Sequence, residues 1–489
     1  MAQVLPRTLG FKTVLSLVVG SIIGASIFMR PAEMAALLGS PFLIMLAWVL
    51  GGLFTMLSVM ILAETAAMLP DDGGQYALMR NMYGDFWAYL FGWASFAVIN
   101  CAATAAISFI FSEYFQYFIQ LPRFTEAVER SVFIHIPMLG TVFPLDNFGV
   151  KSLSIFIICL FTFISYRSTK SSGRLQVVFT AAKLGAIIML IAGFVAGKAG
   201  SAGNLLASST RIQPEGMALV FAMVAAVNGA LQAYDGSSLM LNVTGEIKDP
   251  GRNIPRGLVL GMLISICIYL LITAGMMYVL NVDEMAVSEL VAKDAALRSF
   301  GPVAAGFVAF LICLSVIGTT NACIMTPPRL TFAMARDHHF FRSAGNVHPR
   351  FNTPGAALVF HMVWTILLTL TGSFFMLADM SIFIVWVFNL FFVAGLFILR
   401  KRMPAAERPY RVWGYPWMPI LVFIGNTLFL VLIIVKDVRN YASGQSPVVN
   451  SVSALVITAM GIPLFYFFKR INKGKARHED PGPEKQSLI

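Results

Sequence analysis

Charged residues are scarce in this chain of 489 residues: Asp, Glu, Lys and Arg together make up only 12%, whereas hydrophobic residues make up 58%. In soluble domains, about a quarter of all residues are usually charged. A folded soluble protein could not bury so much apolar side-chain surface. The scarcity of charge therefore excludes the ordinary soluble class and predicts that lipid is the main solvent of the chain.

Cysteine, enzyme motifs and nucleotide-binding motifs are also scarce or missing. The five cysteines all fall inside apolar runs, so we expect no extracellular disulfide framework. Gly-x-x-x-x-Gly-Lys-Ser/Thr and His-Glu-x-x-His do not occur, and neither a nucleophile–base pair nor a standard zinc spacing is found. We therefore expect no enzyme activity, no cofactor and no metal site. The net charge is +11, but no basic run is interleaved with aromatic residues, so we expect no nucleic-acid partner.

Long apolar runs are what the sequence does contain. A membrane-spanning helix needs about 20 predominantly apolar residues. Counting such runs predicts an all-α integral membrane protein with twelve transmembrane helices, at 11–39, 42–69, 85–118, 148–166, 172–198, 215–244, 256–281, 302–334, 355–372, 379–400, 416–436 and 448–469.

Positive charge is unevenly distributed between the predicted loops. If the N-terminus is cytoplasmic, about 23 of the 35 Lys and Arg residues lie in inner segments and about nine lie in outer segments. Cytoplasmic loops are enriched in Lys and Arg. The asymmetry therefore predicts a multi-pass protein of the cell (inner) membrane with both termini in the cytoplasm. Three basic residues remain at membrane depth, namely Arg30, Lys183 and Arg329.

The first and sixth predicted spans are long, and each has small or polar residues near its middle. The first reads Gly20-Ser21-Ile22-Ile23-Gly24-Ala25-Ser26, and the sixth reads Gln232-Ala233-Tyr234-Asp235-Gly236-Ser237. Close helix packing at the glycines remains an alternative for the first span. A carboxylate at membrane depth is costly unless it meets water, a partner or a proton, so Asp235 indicates a polar cavity. We therefore predict that both helices unwind and that their freed amides and carbonyls bind a zwitterion.

Lys183 lies near the middle of the fifth predicted span, too far from either surface for its ammonium to reach water. We expect the side chain to point inward and to donate hydrogen bonds to carbonyls of the broken first helix. A fixed cation there would take the place of a bound metal ion.

Five motifs, in this order, resemble the amino acid–polyamine–organocation superfamily and, within it, the L-type amino acid transporter family. The similarity covers about residues 8 to 436. The motifs are Gly20-Ser21-Ile22-Ile23-Gly24-Ala25-Ser26-Ile27-Phe28, Leu62-Ala63-Glu64 through Asp72-Gly73-Gly74-Gln75-Tyr76, Thr244-Gly245-Glu246-Ile247-Lys248-Asp249-Pro250 through Arg256, Pro328-Arg329 through Val347-His348-Pro349-Arg350-Phe351, and Arg408-Pro409-Tyr410-Arg411 through Pro416.

This resemblance implies a LeuT-like fold, in which a five-plus-five inverted repeat is followed by two C-terminal helices and helices 1 and 6 are discontinuous. The predicted boundaries are 1–10 for a cytoplasmic N-terminus, 11–198 for the first repeat, 199–214 for an extracellular linker, 215–400 for the second repeat, 401–469 for helices 11 and 12, and 470–489 for a disordered cytoplasmic tail.

The resemblance also implies a binding site between helices 1 and 6. Amides of Gly24, Ala25 and Ser26 would hold the substrate carboxylate, and carbonyls near Ile22, Gln232 and Asp235 would hold its ammonium. The same two segments contribute Ile23, Ala233, Tyr234, Gly236 and Ser237. Lys183 matches a helix 5 lysine that takes the place of a sodium ion in sodium-coupled relatives. The implied mechanism is sodium-independent exchange, with Lys183 and Asp235 as coupling residues.

Three positions depart from the family pattern. Ser26 stands where the family usually has glycine, Gln232 where an aromatic gate is common, and Ser237 where a tryptophan is common. These residues predict a more polar pocket and favour small or polar amino acids over large aromatic ones.

Alternatives to exchange remain open at this point. Asp235 could bind and release a proton, which would give proton-coupled symport of an amino acid or amine. A membrane sensor or structural protein is a third class, which the lack of a signalling domain disfavours. Animal members of the family pair with a heavy chain through a cysteine after helix 3. Because segment 119–147 has no cysteine, we expect no disulfide-linked heavy chain, and the chain resembles a stand-alone prokaryotic member.

Overall fold

Helices make up most of the computed structural model, which describes residues 7–24, 26–69, 73–136, 140–197, 199–288, 290–301, 303–371, 374–443 and 449–479. The first half of the chain contains α1 (Phe11–Ile22), α2 (Ser26–Leu38), α3 (Pro41–Met68), α4 (Gln75–Tyr83), α5 (Asp85–Ala94), α6 (Cys101–Phe115), α7 (Glu126–Glu129), α8 (Phe148–Arg167) and α9 (Thr169–Ala196). The second half contains α10 (Gly216–Tyr234), α11 (Pro250–Val279), α12 (Val282–Ala286), α13 (Val291–Phe300), α14 (Val303–Met325), α15 (Pro328–Arg336), α16 (Gly355–Thr371), α17 (Phe374–Arg402), α18 (Trp417–Ala442), α19 (Asn450–Ala459) and α20 (Gly461–Glu479).

Shorter elements connect these helices. A π-helical segment, Ser95–Asn100, joins α5 to α6, and 3-10 segments occupy Ala202–Leu205, Ser237–Glu246 and Arg342–Gly345. Strands β1 (Ile134–Ile136) and β2 (Gly140–Val142) pair antiparallel, with Ile134 opposite Val142. This small ribbon lies in the predicted outer segment 119–147, where the sequence analysis expected no strand.

Ten helical stretches in the described part of the chain are long and apolar enough to cross a membrane, and the bent pair of α1 and α2 would make an eleventh. Helix α16, at the predicted span 355–372, has 17 residues. At 1.5 Å per residue it is roughly 25 Å long, shorter than a hydrocarbon core of about 30 Å. The multi-pass architecture is confirmed, whereas the count of twelve spans and the inverted repeat stay predictions.

The C-terminal helix extends farther than the sequence analysis expected. Helix α20 continues to Glu479, whereas a disordered tail was predicted to begin at residue 470. Lys, Arg and Ala are good helix formers, so a polar stretch rich in them can prolong an apolar helix into water. The remainder of the predicted tail, 480–489, lies outside the described residues.

A buried ion pair joins three elements near the end of the sixth span. Arg329 in α15 is fully buried; its Nε donates to Oε1 of Glu246 over 2.8 Å, and its Nη2 donates to the hydroxyl of Thr169 over 2.8 Å. A buried guanidinium without a carboxylate would be strongly destabilising. The pair therefore holds the 3-10 segment Ser237–Glu246 against α9 and α15.

Two backbone hydrogen bonds, which together we call the clip, join the segment before α1 to the segment after the sixth span. The amide of Leu9 donates to the carbonyl of Glu246 over 2.9 Å, and the amide of Lys248 donates to the carbonyl of Leu9 over 2.9 Å. Leu9 and Ile247 thus form a parallel β-bridge. The ends of both broken spans on this side are attached to each other through main-chain hydrogen bonds.

Candidate functional site

The first span is interrupted near its middle. Helix α1 ends at Ile22, Ile23 has an extended conformation with ψ 92°, and α2 begins at Ser26. The two helices are bent by 40° relative to each other. The predicted site residue Ala25 lies outside the described residues. Unwinding here frees backbone carbonyls at the end of α1, and such groups need partners at membrane depth.

The sixth span is interrupted at Asp235 and Gly236. Helix α10 ends at Tyr234, Asp235 is extended with ψ 154°, and Gly236 has φ +113°. A side chain on Gly236 would be strained at this φ, and its Cβ would lie 2.7 Å from the carbonyl oxygen of Ser21. Glycine at this position therefore permits both the break and its contact with α1.

The two breaks lie directly against each other. The hydroxyl of Ser21 in α1 donates to the carbonyl of Gly236 over 2.9 Å, and it also approaches the carbonyl of Leu17 at 2.6 Å. Two segments that are more than 200 residues apart in sequence thus form one site. The discontinuity of both helices, which the sequence analysis predicted, is present in the structure.

Lys183 is fully buried and donates hydrogen bonds to two of the carbonyls that are freed at the first break. Its ammonium donates to the carbonyl of Gly20 over 2.9 Å, to that of Ile23 over 2.7 Å and to that of Ser315 in α14 over 2.9 Å. An ammonium has three N–H donors, and each of them donates to a carbonyl oxygen. The expected contact with the broken first helix is therefore present.

Hydroxyl groups of α14 support the same carbonyls. Ser315 donates to the carbonyl of Ile23 over 3.0 Å, and Thr319 donates to that of Gly20 over 3.0 Å. The two side chains are one helical turn apart and face the break together. Neither residue was predicted from the sequence, although their four-residue spacing in an apolar run is a signal that could have indicated them.

Tyr269 in α11 connects the two breaks and was also missed. Its hydroxyl lies 2.8 Å from the carbonyl of Ile22 and 2.9 Å from that of Ala233. A phenol has one proton, so it donates to one of these carbonyls at a time. The Tyr269 ring stacks on the ring of Tyr234 at a centroid distance of 4.9 Å, and this stacking fixes its position.

A cavity of about 270 Å³ opens beside the breaks. Eight of the predicted substrate-binding residues line it: Ile22, Gly24, Ser26, Gln232, Ala233, Asp235, Gly236 and Ser237. Two others do not. Ile23 is buried with its carbonyl on Lys183, and Tyr234 is buried behind the break against Trp48 and Tyr269.

Polar side chains from other helices also line this cavity. They come from α3, from the π-helical segment, from its junction with α6 and from α17, and they include Thr55, Ser58, Ser95, Asn100, Ser381 and Asn389. In the π-helical segment the amide of Asn100 donates to the carbonyl of Ser95 over 3.0 Å, and Ser381 donates to the carbonyl of Ile99 over 3.0 Å. Single π-helical turns often occur at functional sites. The polar lining therefore extends well beyond the two breaks that the sequence indicated.

The cavity brings together backbone groups of opposite partial charge. The N-terminus of α2 presents amides at Ser26, and the ends of α1 and α10 present carbonyls, so opposite partial charges face one space. In the described part of the chain, no group of three His, Cys, Asp or Glu side chains is arranged to hold a metal.

Comparisons with known proteins identify the family. Residues 9–464 match the family model described as amino acid permease. The chain is 28% identical to the serine/threonine exchanger SteT of Bacillus subtilis (strain 168) over 469 residues, which cover 95% of this chain and 98% of that protein. It is 27% identical to the human large neutral amino acids transporter small subunit 2 over 469 residues, covering 94% and 80% of the two chains. It is also 27% identical to the human b(0,+)-type amino acid transporter 1 over 435 residues, covering 89% and 83%.

These relatives are named as transporters and exchangers, not as enzymes. The resemblance inferred from the five motifs is confirmed, since the family model covers the region in which all five lie. Taken with the apolar helices and the paired breaks, these similarities show that the chain belongs to the amino acid permease family of the amino acid–polyamine–organocation superfamily.

Proposed function

We propose that this protein is a secondary active transporter that exchanges small or polar amino acids by alternating access and does not need sodium. The observation that carries the proposal is the contact between the two helix breaks, with Lys183 bound to the carbonyls of the first. Such paired breaks present amides and carbonyls to the two charges of an amino acid.

The substrate would lie across both breaks. Its carboxylate would meet the amides of Gly24, Ala25 and Ser26 at the N-terminus of α2, where the helix dipole favours an anion. Its ammonium would meet the carbonyls of Ile22, Gln232 and Asp235. Tyr269 already contacts the carbonyl of Ile22, so binding of the ammonium would turn the phenol proton toward Ala233.

Sodium independence is supported by the contacts of Lys183. Freed carbonyls at a helix break are ligands that Na⁺ would use. Here an ammonium that cannot dissociate already takes the carbonyls of Gly20, Ile23 and Ser315. A second monovalent cation at the same carbonyls would face both repulsion and a lack of free ligands.

The substrate class is supported by the size and lining of the cavity. Hydroxyl and amide side chains surround the two breaks, and the volume is about 270 Å³. Serine and threonine, which the name of the Bacillus relative specifies, are therefore the first substrates to test.

Exchange is tested with the purified protein in liposomes. We expect uptake of labelled serine to require unlabelled serine inside the vesicles and to be unchanged when choline replaces sodium. If none of the twenty amino acids is taken up and none stabilises the protein against heat, the proposal fails.

The role of Lys183 is tested by Lys183→Ala, with the exposed Lys293→Ala as the control. Removal of the ammonium breaks its hydrogen bonds to the carbonyls of Gly20, Ile23 and Ser315. The hydroxyls of Ser315 and Thr319 still donate to the carbonyls of Ile23 and Gly20, but each lost bond from a charged donor costs about 1.5–3 kcal/mol. We expect the exchange rate to fall at least about tenfold in Lys183→Ala and to be unchanged in Lys293→Ala. Wild-type exchange in Lys183→Ala would remove the lysine from the coupling mechanism.

Proton-coupled symport of an amino acid or amine is the second candidate, because the ionisable side chain of Asp235 lines the cavity. A pH gradient would then drive accumulation in vesicles that contain no amino acid, and Asp235→Asn would abolish that drive. Equal uptake with and without the gradient would reject this candidate.

The proposal also includes the membrane, the orientation and the partners of the protein. The distribution of Lys and Arg supports a multi-pass protein of the cell (inner) membrane with cytoplasmic N- and C-termini. The lack of a cysteine in 119–147 supports function without a disulfide-linked heavy chain. Protease protection of a tag at each end, in intact cells, tests the orientation.

A further inference from the structure

The halves of the two broken spans on one side of the site are joined by side chains. Helix α2 follows the first break, and α10 precedes the second. Arg30 in α2 forms an ion pair with Glu33, and its Nη2 donates to Oε1 of Gln232 in α10 over 2.5 Å. The amide nitrogen of Gln232 donates in turn to Oδ1 of Asn228 over 2.9 Å. A continuous polar chain therefore crosses from α2 to α10.

This series of hydrogen-bonded side chains leads from an exposed surface to the cavity. The side chain of Glu33 is 51% exposed and that of Arg30 is 29% exposed. Both Arg30 and Gln232 line the cavity. Gly229, one turn before Gln232, lies beside the arginine, since a Cβ there would be 3.6 Å from Cδ of Arg30, an ordinary contact distance. The Arg30–Gln232 bond thus stands between the cavity and the surface on the side of α2.

The bond satisfies both functional groups of Gln232. Its oxygen accepts from Arg30, and its nitrogen donates to Asn228. Gln232 is a polar residue between two helices at the edge of the cavity. A glutamine cannot close by apolar contact, but a charge-assisted hydrogen bond holds it in one rotamer.

We propose that Arg30 and Gln232 form a polar latch that closes the cavity on the side of α2, the outer side in the predicted orientation. The latch opens when the side chain of Gln232 breaks its hydrogen bond to Arg30, without unwinding of either helix. This inference rests on the alternating access proposed above, and it adds the residues that control one of the two accesses.

If the latch closes only one side of the cavity, its loss should change the KM values on the two sides in opposite directions. Its loss raises the population of the form open to the outside. The apparent affinity of a transporter for substrate on one side rises with the population that can bind there. Loss of the latch therefore lowers the KM for outside serine and raises the KM for inside serine.

The test measures both KM values in oriented vesicles for Arg30→Met, Gln232→Leu and the double variant. We expect the ratio of inside to outside KM to rise roughly tenfold in each single variant, as expected for loss of a hydrogen bond to a charged group. The double variant should match the single ones, because each removes the same bond. The control is Gln213→Leu, since the Gln213 amide donates to Ser209 in a loop away from the cavity. An unchanged ratio, or additive effects in the double variant, would overturn the latch.

A second readout does not depend on transport. Cys323 lines the cavity and is buried. A charged, membrane-impermeant thiol reagent added to intact cells should modify Cys323 about tenfold faster in Gln232→Leu than in the wild type, and Cys323→Ser should abolish this signal. If no amino acid is transported but this acceleration is seen, the transport proposal fails and the latch stands. An equal rate of modification contradicts the latch whatever the protein transports.

Discussion

At the scale of single residues, the site consists of side chains that satisfy the backbone groups freed by the two breaks. Lys183, Ser315 and Thr319 serve the carbonyls of Gly20 and Ile23. An unpaired buried carbonyl costs about 1–3 kcal/mol. The unwound conformation of the first span persists because donors from α9 and α14 remove this cost.

Tyr269→Phe should weaken the site without removing the ring. The variant loses the only donor shown for the carbonyls of Ile22 and Ala233 in the described part of the chain. We expect a loss of about 1 kcal/mol in the free energy of unfolding, and a KM for serine that is roughly fivefold higher because the two breaks are less firmly joined. Thermal unfolding in detergent and exchange kinetics measure the two effects.

Tyr234→Phe is the matched control for this prediction. Tyr234 stacks on Tyr269, and its buried hydroxyl has no hydrogen-bond partner among the described residues. Removal of an unpaired buried hydroxyl is neutral or stabilising. If Tyr234→Phe harmed the protein as much as Tyr269→Phe, the bridging role of the Tyr269 hydroxyl would be wrong.

Sequence reasoning found Lys183 but not Tyr269, for a physical reason. A lysine in the middle of an apolar span must have an inward partner, because the ammonium cannot reach water. A hydroxyl in such a span can bond to its own helix, as Thr55 does to the carbonyl of Gly51 over 2.9 Å. Only the packing of α11 against both breaks shows that Tyr269 serves other elements.

At the scale of elements, Gly236 sets the place where the sixth span breaks. Gly236→Ala combines a strained φ of +113° with a contact of 2.7 Å to the carbonyl of Ser21. We expect the variant to lose at least about 1–3 kcal/mol of stability and to lose most exchange activity, as measured by thermal unfolding and by uptake.

Gly185→Ala in α9 is the control for Gly236→Ala. No atom lies within 4 Å of a Cβ added at Gly185, and alanine favours a helix over glycine by about 1 kcal/mol. This variant should be as stable as the wild type or slightly more stable. An active and equally stable Gly236→Ala would show that the break does not depend on glycine.

The sequence was informative about the breaks but less so about other elements. Small and polar residues in long apolar runs located both breaks to within a few residues, because unwinding needs that local composition. The π-helical segment was not predicted, since its carbonyls are bonded by Ser381 and Trp364 from other helices. The length of α16 and the continuation of α20 to Glu479 likewise depend on packing and solvent rather than on apolar runs.

At the scale of the whole molecule, His339 joins distant parts of the chain. It follows α15, its Nδ1 lies 3.0 Å from the hydroxyl of Tyr76 in α4, and its ring packs on Phe465 in α20. Burial lowers the pKa of His339 from its usual value of 6.5. The neutral imidazole is therefore the form that these contacts favour.

Mild acid should loosen this contact. Below about pH 6.5 the unfolded chain binds a proton at His339 that the folded chain does not bind, so stability is lost as the pH falls. We expect the midpoint temperature of thermal unfolding to be lower at about pH 5.5 than at about pH 7.5, and this decrease to be smaller in His339→Gln. An identical pH dependence in wild type and His339→Gln would exclude this histidine as the cause.

The clip at Leu9 gives the two ends of the site different mechanical properties. On the α2 side, Arg30 and Gln232 meet through flexible side chains, whereas on the opposite side Leu9 and Ile247 are fastened main chain to main chain. In the alternating access proposed above, the α2 side would open by rotation of side chains about single bonds, in nanoseconds. The opposite side would have to move main-chain segments together, which takes microseconds or longer, so we expect the slow step of the proposed cycle on the side that carries the clip.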